Sequence, residues 1–160
     1  MTTQSGDTDT MYENKYDVVI VSGGFDPVHV GHIRMILEAT SLGEIVVVGV
    51  NSDEWLTRKK GYIFMPHEER LEIARSVKGV RFAMGFDDSD NSANDLIKKV
   101  RSLYPNASIA FANGGDRTKE NIPEIHTAKE NRVELIWGIG GNKIQSSSDL
   151  VSTANKNKGE

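Results

Sequence analysis

The feature that most constrains the fold of this chain is the alternation of short apolar runs with amphipathic segments. Strand-like and helix-like segments alternate five times, with no internal repeat and no second core. Strands that are separated by helices pair in parallel, because each helix returns the chain to the end of the sheet where the previous strand began. The alternation predicts an α/β fold: a doubly wound, five-stranded parallel sheet with every strand buried on both faces. The predicted strands are Tyr16–Ser22, Ile45–Val50, Val80–Met84, Ala107–Ala112 and Val133–Trp137.

The helices are indicated by apolar spacing and by typical first residues. Ile33, Ile36 and Leu37 have the i, i+3, i+4 spacing of a helix that ends near Gly43. The stretch Asn51–Met65 is polar and is predicted only as a connection. The other predicted helices open at Pro66, at a capping box spanning Ser92 to Asp95, near Pro123, and at a second capping-box sequence from Ser146 to Asp149.

Length and charge set the domain organisation and exclude several classes of function. A chain of 160 residues with a net charge of −4 fits one globular domain and argues against non-specific nucleic-acid binding, which needs basic surface. Cysteine is absent and no apolar run approaches the ~20 residues that span a bilayer, so we expect a cytoplasmic protein without a membrane segment. The expected parts are a disordered extension 1–14, a domain 15–154 and a flexible tail 155–160.

A doubly wound sheet has a crevice where the strand order reverses, at the carboxyl ends of its strands. If the first strand lies beside the fourth, two glycine-rich loops flank that crevice. These loops are Gly23–His32 and Asn113–Asp116. The crevice is therefore the predicted ligand site.

The first of these loops contains residue types suited to a polyphosphate. Gly23 and Gly24 allow a tight turn and a close backbone approach to phosphate oxygens. His29 and His32 lie three apart at a helix start, on one face, where free N–H groups already favour an anion. Gly31 between them leaves room for a base or a ribose. The histidines could instead cap the helix or bind zinc, but the absence of cysteine disfavours zinc.

The segment Gly23–His32, which reads GGFDPVHVGH, resembles the signature of the cytidylyltransferase-like nucleotidyltransferase superfamily, with His29, Gly31 and His32 as its HxGH element. Further family-like motifs follow in order over nearly all of residues 16–153. They most resemble the adenylyltransferase domain of ADP-heptose synthase and, next, glycerol-3-phosphate cytidylyltransferase. These motifs are Asn51-Ser52-Asp53, Lys60-Gly61, Pro66 to Arg70, Gly114-Gly115-Asp116 and Ser146-Ser147-Ser148.

The resemblance implies a Rossmann-like, HUP-type fold and an enzyme of the EC 2.7.7 type. Such an enzyme would join a nucleoside monophosphate from ATP or CTP to a phosphorylated sugar or polyol and release pyrophosphate. The implied cofactor is Mg²⁺, held mainly by the substrate phosphates rather than by a protein metal site, and the implied assembly is a homodimer. The implied catalytic residues are His29, His32 and Lys60, with Lys59 as the alternative lysine. The implied nucleotide-binding residues are Gly23, Gly24, Phe25, Asp26, Gly31, Gly114, Gly115, Asp116, Ser146, Ser147 and Ser148.

Two departures from the family patterns bear on the substrates. The stretch before the serine cluster has no arginine, whereas the glycerol-3-phosphate enzymes read RTEGIST there, which favours ATP over CTP. Asn113 stands where the heptose domain has a lysine, which leaves the acceptor open. Rival interpretations are a nicotinamide mononucleotide or pantetheine-phosphate adenylyltransferase, a class I aminoacyl-tRNA synthetase fragment and a non-catalytic nucleotide-binding regulatory module.

Some charged residues outside the main motifs also bear on the site. Asp88 belongs to an acidic loop before a capped helix, and such loops are usually solvated rather than metal-binding. Arg58 could help at the same anionic site as Lys60. Arg70 matches the family helix, but an arginine in an amphipathic helix is more often structural than functional. Trp55 has no assigned function.

Overall fold

The computed structural model describes residues 15–114 and 122–140. Along them the elements are β1 (Tyr16–Gly23), α1 (Val30–Leu42), β2 (Gly43–Val50), α2 (Asp53–Lys60), α3 (His67–Arg75), β3 (Val80–Met84), α4 (Asn94–Leu103), β4 (Ile109–Gly114), α5 (Ile125–Glu130) and β5 (Val133–Ile139). The predicted terminal extension and tail, the predicted helix at Ser146, and Gly115, Asp116, Ser146, Ser147 and Ser148 lie outside the described residues.

All five strands are parallel and stand in the order β3-β2-β1-β4-β5. The predicted doubly wound sheet is therefore confirmed, and so is the neighbourhood of β1 and β4. The strand order reverses between them, so the chain builds β1, β2 and β3 to one side and returns to build β4 and β5 on the other. The crevice expected of such a reversal lies beyond Gly23 and Gly114, where β1 and β4 end.

The core lies on both faces of the central strand. Val18 to Val21 are fully buried, and alternate side chains point to opposite faces. One face packs on α1 and α3, where Ile36 and Ala74 are buried, and the other packs on α4 and α5. Burial of each large aliphatic side chain contributes on the order of 2 kcal/mol, so these two layers hold the sheet rigid beneath the crevice.

The prediction that every strand is buried on both faces is wrong for the edges of the sheet. On β3, Arg81 and Phe82 are exposed, and β5 leaves Glu134 exposed and several other side chains half-buried. An edge strand has a neighbour on one side only and its helices cover it incompletely. The three inner strands carry the predicted two-sided burial.

Two local predictions at helix starts are also wrong. The polar stretch after β2 contains α2, which Ser52 caps by accepting a hydrogen bond from the Trp55 N–H at 3.0 Å. The capping box predicted before α4 does not form, because the Asp95 carboxylate accepts the backbone N–H of Asp87 instead. Ser92 Oγ accepts the N–H of Asn94 and helps to close the loop before the helix.

Candidate active site

The loop between β1 and α1 is tightly folded around one aromatic ring. Phe25 is buried and has a φ of +54°, a left-handed conformation that is uncommon outside glycine. Its ring fills the space beside Gly23, where an added Cβ would lie 3.3 Å from the ring, and its centroid is 4.8 Å from that of His32. The Phe25 ring thus packs against the glycine turn and contacts the ring of His32.

The two histidines cap α1 reciprocally. His29 Nδ1 accepts the N–H of Gly31 and His32 Nδ1 accepts the N–H of His29, both at 3.1 Å. The rings stack with centroids 4.0 Å apart. Because Nδ1 is the acceptor in each ring, the neutral imidazoles carry their proton on Nε2. The capping role that competed with catalysis in the sequence is therefore present, and it orients both rings as Nε2–H donors.

The glycine between the histidines has a clear steric reason. A Cβ at Gly31 would lie 2.9 Å from His29 Cε1 and 3.1 Å from His29 Nδ1. The space that we attributed to a base or a ribose is thus occupied, in this structure, by the imidazole of His29. Gly31 permits the cap, and the cap positions the ring.

His32 is neutral at physiological pH. Burial is the main cause, and the neighbouring His29 ring and Lys60 ammonium add to it; together they lower the pKa of His32 from 6.5 to about 4. A neutral ring keeps the Nδ1 acceptor that caps the helix. A bound anion would raise this pKa again, because it favours the charged form.

Lys60 and Asp26 join the loop between β1 and α1, which we call the histidine loop, to the segment after α2. The Lys60 ammonium donates to the carbonyl oxygen of Asp26 at 2.6 Å and lies 3.9 Å from its carboxylate. The buried Asp26 carboxylate accepts the backbone N–H groups of Phe64 and Met65 at 2.7 and 2.6 Å. Burial lowers the pKa of Lys60, and the charges of Arg70 and Lys59 act in the same direction against the effect of Asp26. Lys60 therefore lies beside the histidine loop, while Asp26 holds that loop in place.

Arg70 organises three segments at the same end of the sheet. Its side chain is fully buried and donates to the carbonyl oxygens of Met65, Gly24 and Asn51 at 2.7–2.9 Å, and to the Asp53 carboxylate at 2.6 Å. It thereby ties the glycine loop to the end of β2 and the start of α2. Sequence reasoning left Arg70 between a structural and a functional role, and the structure makes it the organising residue of the site.

A cavity of about 650 Å³ lies at the carboxyl ends of β1 and β2, with Gly23 and Gly24 in its wall. Arg58 and Lys59 of α2 line it, and the Lys59 ammonium lies 4.7 Å from the centre of the Trp55 ring. The remaining lining comes from the ends of β1 and β2, the loop before α4 and the start of α5: Ser22, Asn51, Phe86, Asn91, Ser92, Ala93 and Glu124. The sequence suggested only a supporting role at an anionic site for Arg58 and none for Trp55. Because few residues of α2 are apolar, the sequence did not indicate that this helix lines a cavity.

Asp88 was expected to be a solvated loop charge, and that expectation is wrong. The residue is 4 % exposed, and its carboxylate accepts hydrogen bonds from Asn51 Nδ2, Ser52 N and Ser52 Oγ at 2.7–3.0 Å. It joins the loop before α4 to the start of α2. Only the pairing of β2 with β3 brings these segments together, so no local pattern could have indicated the contact.

The structure brings Gly23, Gly24, Phe25, His29, His32 and Lys60 together at the end of β1. Gly114 ends the neighbouring β4, and a Cβ there would lie 3.1 Å from Met35 Sδ of α1. In the stretches 15–114 and 122–140, no group of three His, Cys, Asp or Glu side chains could hold a metal ion. No helix in these stretches is long and apolar enough to cross a bilayer.

The family of the chain is decided by a comparison with known families. The family model described as Cytidylyltransferase-like matches residues 20–151, most of the chain. The chain belongs to this family. It is accordingly a cytidylyltransferase-like nucleotidyltransferase, of the EC 2.7.7 type.

Similar curated proteins are named bifunctional protein HldE. The one from Citrifermentans bemidjiense is 32 % identical over 128 residues, which cover 78 % of this chain and 25 % of the relative. The one from Geobacter sulfurreducens is 31 % identical over 147 residues, which cover 89 % of this chain and 28 % of the relative. The chain thus spans about a quarter of the length of these cytidylyltransferase-like relatives.

Solved structures share the fold at lower identity. A lipopolysaccharide core biosynthesis protein from Thermoplasma volcanium has a TM-score of 0.60 at 24 % identity, with 80 % of this chain and 99 % of that chain covered. A bifunctional NMN adenylyltransferase/ADP ribose pyrophosphatase from Francisella tularensis has a TM-score of 0.63 at 17 % identity, with 86 % and 42 % covered. These likenesses agree with the Rossmann-like, HUP-type fold of the family.

Proposed function

We propose that this cytidylyltransferase-like chain transfers an adenylyl group from ATP to a small phosphorylated sugar or polyol and releases pyrophosphate. The observation that carries the proposal is the pair of stacked, reciprocally capped histidines, which present Nε2–H donors beside the Gly23-Gly24 turn. The preference for ATP rests on the missing arginine before the serine cluster and on the likeness to the ADP-heptose synthase domain. CTP is the alternative nucleotide.

In the proposed reaction, a phosphate oxygen of the acceptor attacks the α-phosphorus, and the bond to the pyrophosphate oxygen breaks. A phosphate monoester is largely ionised at neutral pH, so the attacking oxygen needs no general base. The chain has instead to position the two phosphates and to stabilise charge as the α-phosphorus becomes five-coordinate. His29 and His32 would donate to the triphosphate oxygens, with the N–H groups at the start of α1 beside them.

Lys60 would neutralise charge on the nucleotide, since its ammonium is held beside the histidine loop by Asp26. Gly23, Gly24, Gly31, Gly114, Gly115 and Asp116 would line the nucleotide, and Ser146, Ser147 and Ser148 would donate to its phosphates. Asp26 and Phe25 would position the loop, because both side chains are buried.

Magnesium fits the site as an ion carried by the nucleotide. The Asp26 carboxylate already accepts two backbone N–H groups, and the described residues form no cluster of carboxylates that would hold Mg²⁺ in an all-protein cage. The ion would reduce the negative charge of the triphosphate. The likeness to the family also supports a homodimer, which analytical ultracentrifugation would test, and a cytoplasmic location, which fractionation of the source cells would test.

The proposal is tested by measuring pyrophosphate release, with magnesium, from ATP and from CTP across a panel of sugar and polyol phosphates. We expect release from ATP that depends on one acceptor and is lost in the double variant H29A/H32A. No acceptor-dependent release from either nucleotide, in protein that binds ATP by calorimetry, would contradict the proposal for this class of acceptor.

A further inference from the structure

The helix α2 directs its basic side chains to two different sides. Lys60 contacts Asp26 of the histidine loop, whereas Arg58 contacts the loop before α4. Residues two apart on a helix are separated by about 160° around its axis, so these two side chains do not face each other. Lys60 of α2 therefore lies beside the histidine loop, and Arg58 of the same helix lies beside the cavity.

Arg58 is anchored through one nitrogen and only by neutral oxygens. Its Nη2 donates to the Asp88 carbonyl at 2.8 Å and to Asn91 Oδ1 at 3.1 Å. Within residues 15–114 and 122–140, its Nε and Nη1 have no hydrogen-bond partner and no carboxylate lies within salt-bridge distance. A guanidinium has five N–H donors in a fixed fork that matches the oxygens of a phosphate. Arg58 is thus exposed, oriented by two neutral acceptors, and left with part of its fork available to a ligand.

The partners of Arg58 are themselves rigidly placed. The buried Asp88 carboxylate is bonded to the start of α2, and the N–H of Asn91 donates to the Asp88 carbonyl at 2.9 Å. Asn91 has a φ of +63°, and its neighbour Ser92 is bonded to Asp90 through both N–H and Oγ. The loop is closed by its own hydrogen bonds before any ligand arrives, so little ordering would accompany binding at Arg58.

The composition of the cavity favours a phosphorylated ligand. Arg58 and Lys59 line it, and the one carboxylate residue in its described lining, Glu124, is buried and accepts the N–H of Ala93 through Oε2. A phosphate is attracted to the two cations. At ~30 Å³ for each water, a volume of about 650 Å³ has room for roughly twenty waters, enough for a sugar phosphate.

We propose that Arg58 binds the phosphate of the acceptor in the cavity, opposite the face of α2 whose Lys60 serves the nucleotide. The proposal rests on the proposed transfer reaction and adds the position of its second substrate, whose phosphate lies at Arg58. Arg58 is thereby a determinant of acceptor binding.

The test uses Trp55, which lines the cavity, as a fluorescent reporter. The chain has two tryptophans, so W137F leaves Trp55 as the only one. Inorganic phosphate is titrated at constant ionic strength into W137F protein saturated with α,β-methylene-ATP, so that the nucleotide site is already filled. We expect a saturable change in Trp55 emission, weakened about tenfold or more in W137F/R58Q and partly restored in W137F/R58K, since one lost charge-assisted contact of about 1.4 kcal/mol changes affinity tenfold.

The matched control is W137F/R81Q, because Arg81 is exposed on β3 and does not line the cavity. Equal phosphate affinity in W137F, its R58Q variant and its R81Q variant, or no saturable response in W137F, would overturn the assignment. A loss confined to an unfolded R58Q sample, revealed by its melting curve, would also count against it unless R58K restores binding. Calorimetric ATP binding separates the two proposals: normal ATP binding with phosphate affinity independent of Arg58 refutes the role of Arg58 alone.

Once the pyrophosphate assay identifies an acceptor, R58Q should raise its KM about tenfold and leave the KM for ATP within about twofold. A merely structural role for Arg58 would instead move both constants or neither.

Discussion

Among residues 15–114 and 122–140, each end of the sheet has one buried arginine that donates to several backbone carbonyl groups. At the amino ends of the strands, Arg101 of α4 donates to the carbonyl oxygens of Tyr104, Pro105, Ala107, Asn131 and Arg132. At the carboxyl ends, Arg70 of α3 donates to those of Gly24, Asn51 and Met65 and to the Asp53 carboxylate. The chemistry is the same, but the segments that are joined differ.

The difference lies in what the carbonyl groups belong to. Arg101 closes the ends of two helices and the turns that lead into β4 and β5, away from the candidate site. Arg70 donates to Gly24 in the glycine turn and to Asn51 in the cavity wall. It also donates to Met65, whose own N–H donates to the Asp26 carboxylate. Burial of an arginine therefore does not reveal its role, whereas the position of its acceptors along the strands does.

The largest expected effect comes from replacing these arginines by methionine. R70M and R101M each leave several carbonyl oxygens without their donor, at about 1–3 kcal/mol for each group that water cannot reach, so we expect each to lower the free energy of unfolding by roughly 3–5 kcal/mol. Urea unfolding measures this loss. Under stabilising conditions, folded R101M should retain its turnover and folded R70M should lose most of it. Equal turnover in folded R70M and folded R101M would show that Arg70 is no more important to the site than Arg101.

The next effect concerns the histidines at the carboxyl end. H29A and H32A should each lower kcat by roughly a hundredfold, because each removes a donor worth about 3 kcal/mol in sites of this kind. Each also removes one bond of the α1 cap, at about 1 kcal/mol, so stability is measured alongside turnover. H126A is the control, since His126 is exposed and outside the site. Wild-type turnover in both H29A and H32A would refute their catalytic role.

The smallest expected effect, taken over one pH unit, is a dependence of stability on pH that arises at the site end of the sheet. The pKa of His32 is about 4 in the folded chain and 6.5 as an ordinary value, so the unfolded chain binds more protons between these limits. Stability should therefore fall by about 1.4 kcal/mol for each pH unit lowered from about 6.5 toward 4, beyond the contribution of other groups. Protonation at Nδ1 also removes the acceptor of the cap.

Urea unfolding of wild type and H32Q across this pH range isolates the histidine. The slope of wild type should exceed that of H32Q, while H126Q should behave as wild type. Parallel slopes for wild type and H32Q would show that the His32 pKa is not lowered.

Most of the fold could be predicted from the sequence, because the five apolar runs and the helix periods between them are local signals. The position of β1 beside β4 followed from the rules for doubly wound sheets. The helix α2 was missed because only Trp55 and Leu56 are apolar in it, although Ser52 and Gly61 mark its ends. Its helical conformation depends on caps and on Leu56 packing beside Gly24, which are tertiary contacts.

Of the candidate site, only the residues that lie within the segment Gly23–His32 could be placed together from the sequence. His29, His32 and the glycines lie in one short segment, so their joint position at the end of β1 followed from the sequence. The buried bonds of Asp88, the hydrogen bond of Arg70 to Gly24 and the contact of Arg58 with the cavity loop join residues that are 30 to 46 positions apart. No local pattern predicts such contacts, and Asp88 was accordingly taken for a solvated charge.

Gly23 and Gly24 belong both to the segment that leads to the histidines and to the wall of the cavity, and there they contribute backbone and no side chain. A substitution elsewhere in the cavity wall therefore meets no side chain of these two residues. If the two substrates lie as proposed, selection for a new acceptor could change Arg58, Asn91 or Trp55 without altering the residues that hold the nucleotide. The glycine turn would then be the reason why one lineage can diversify in the compounds it activates while its activation chemistry stays the same.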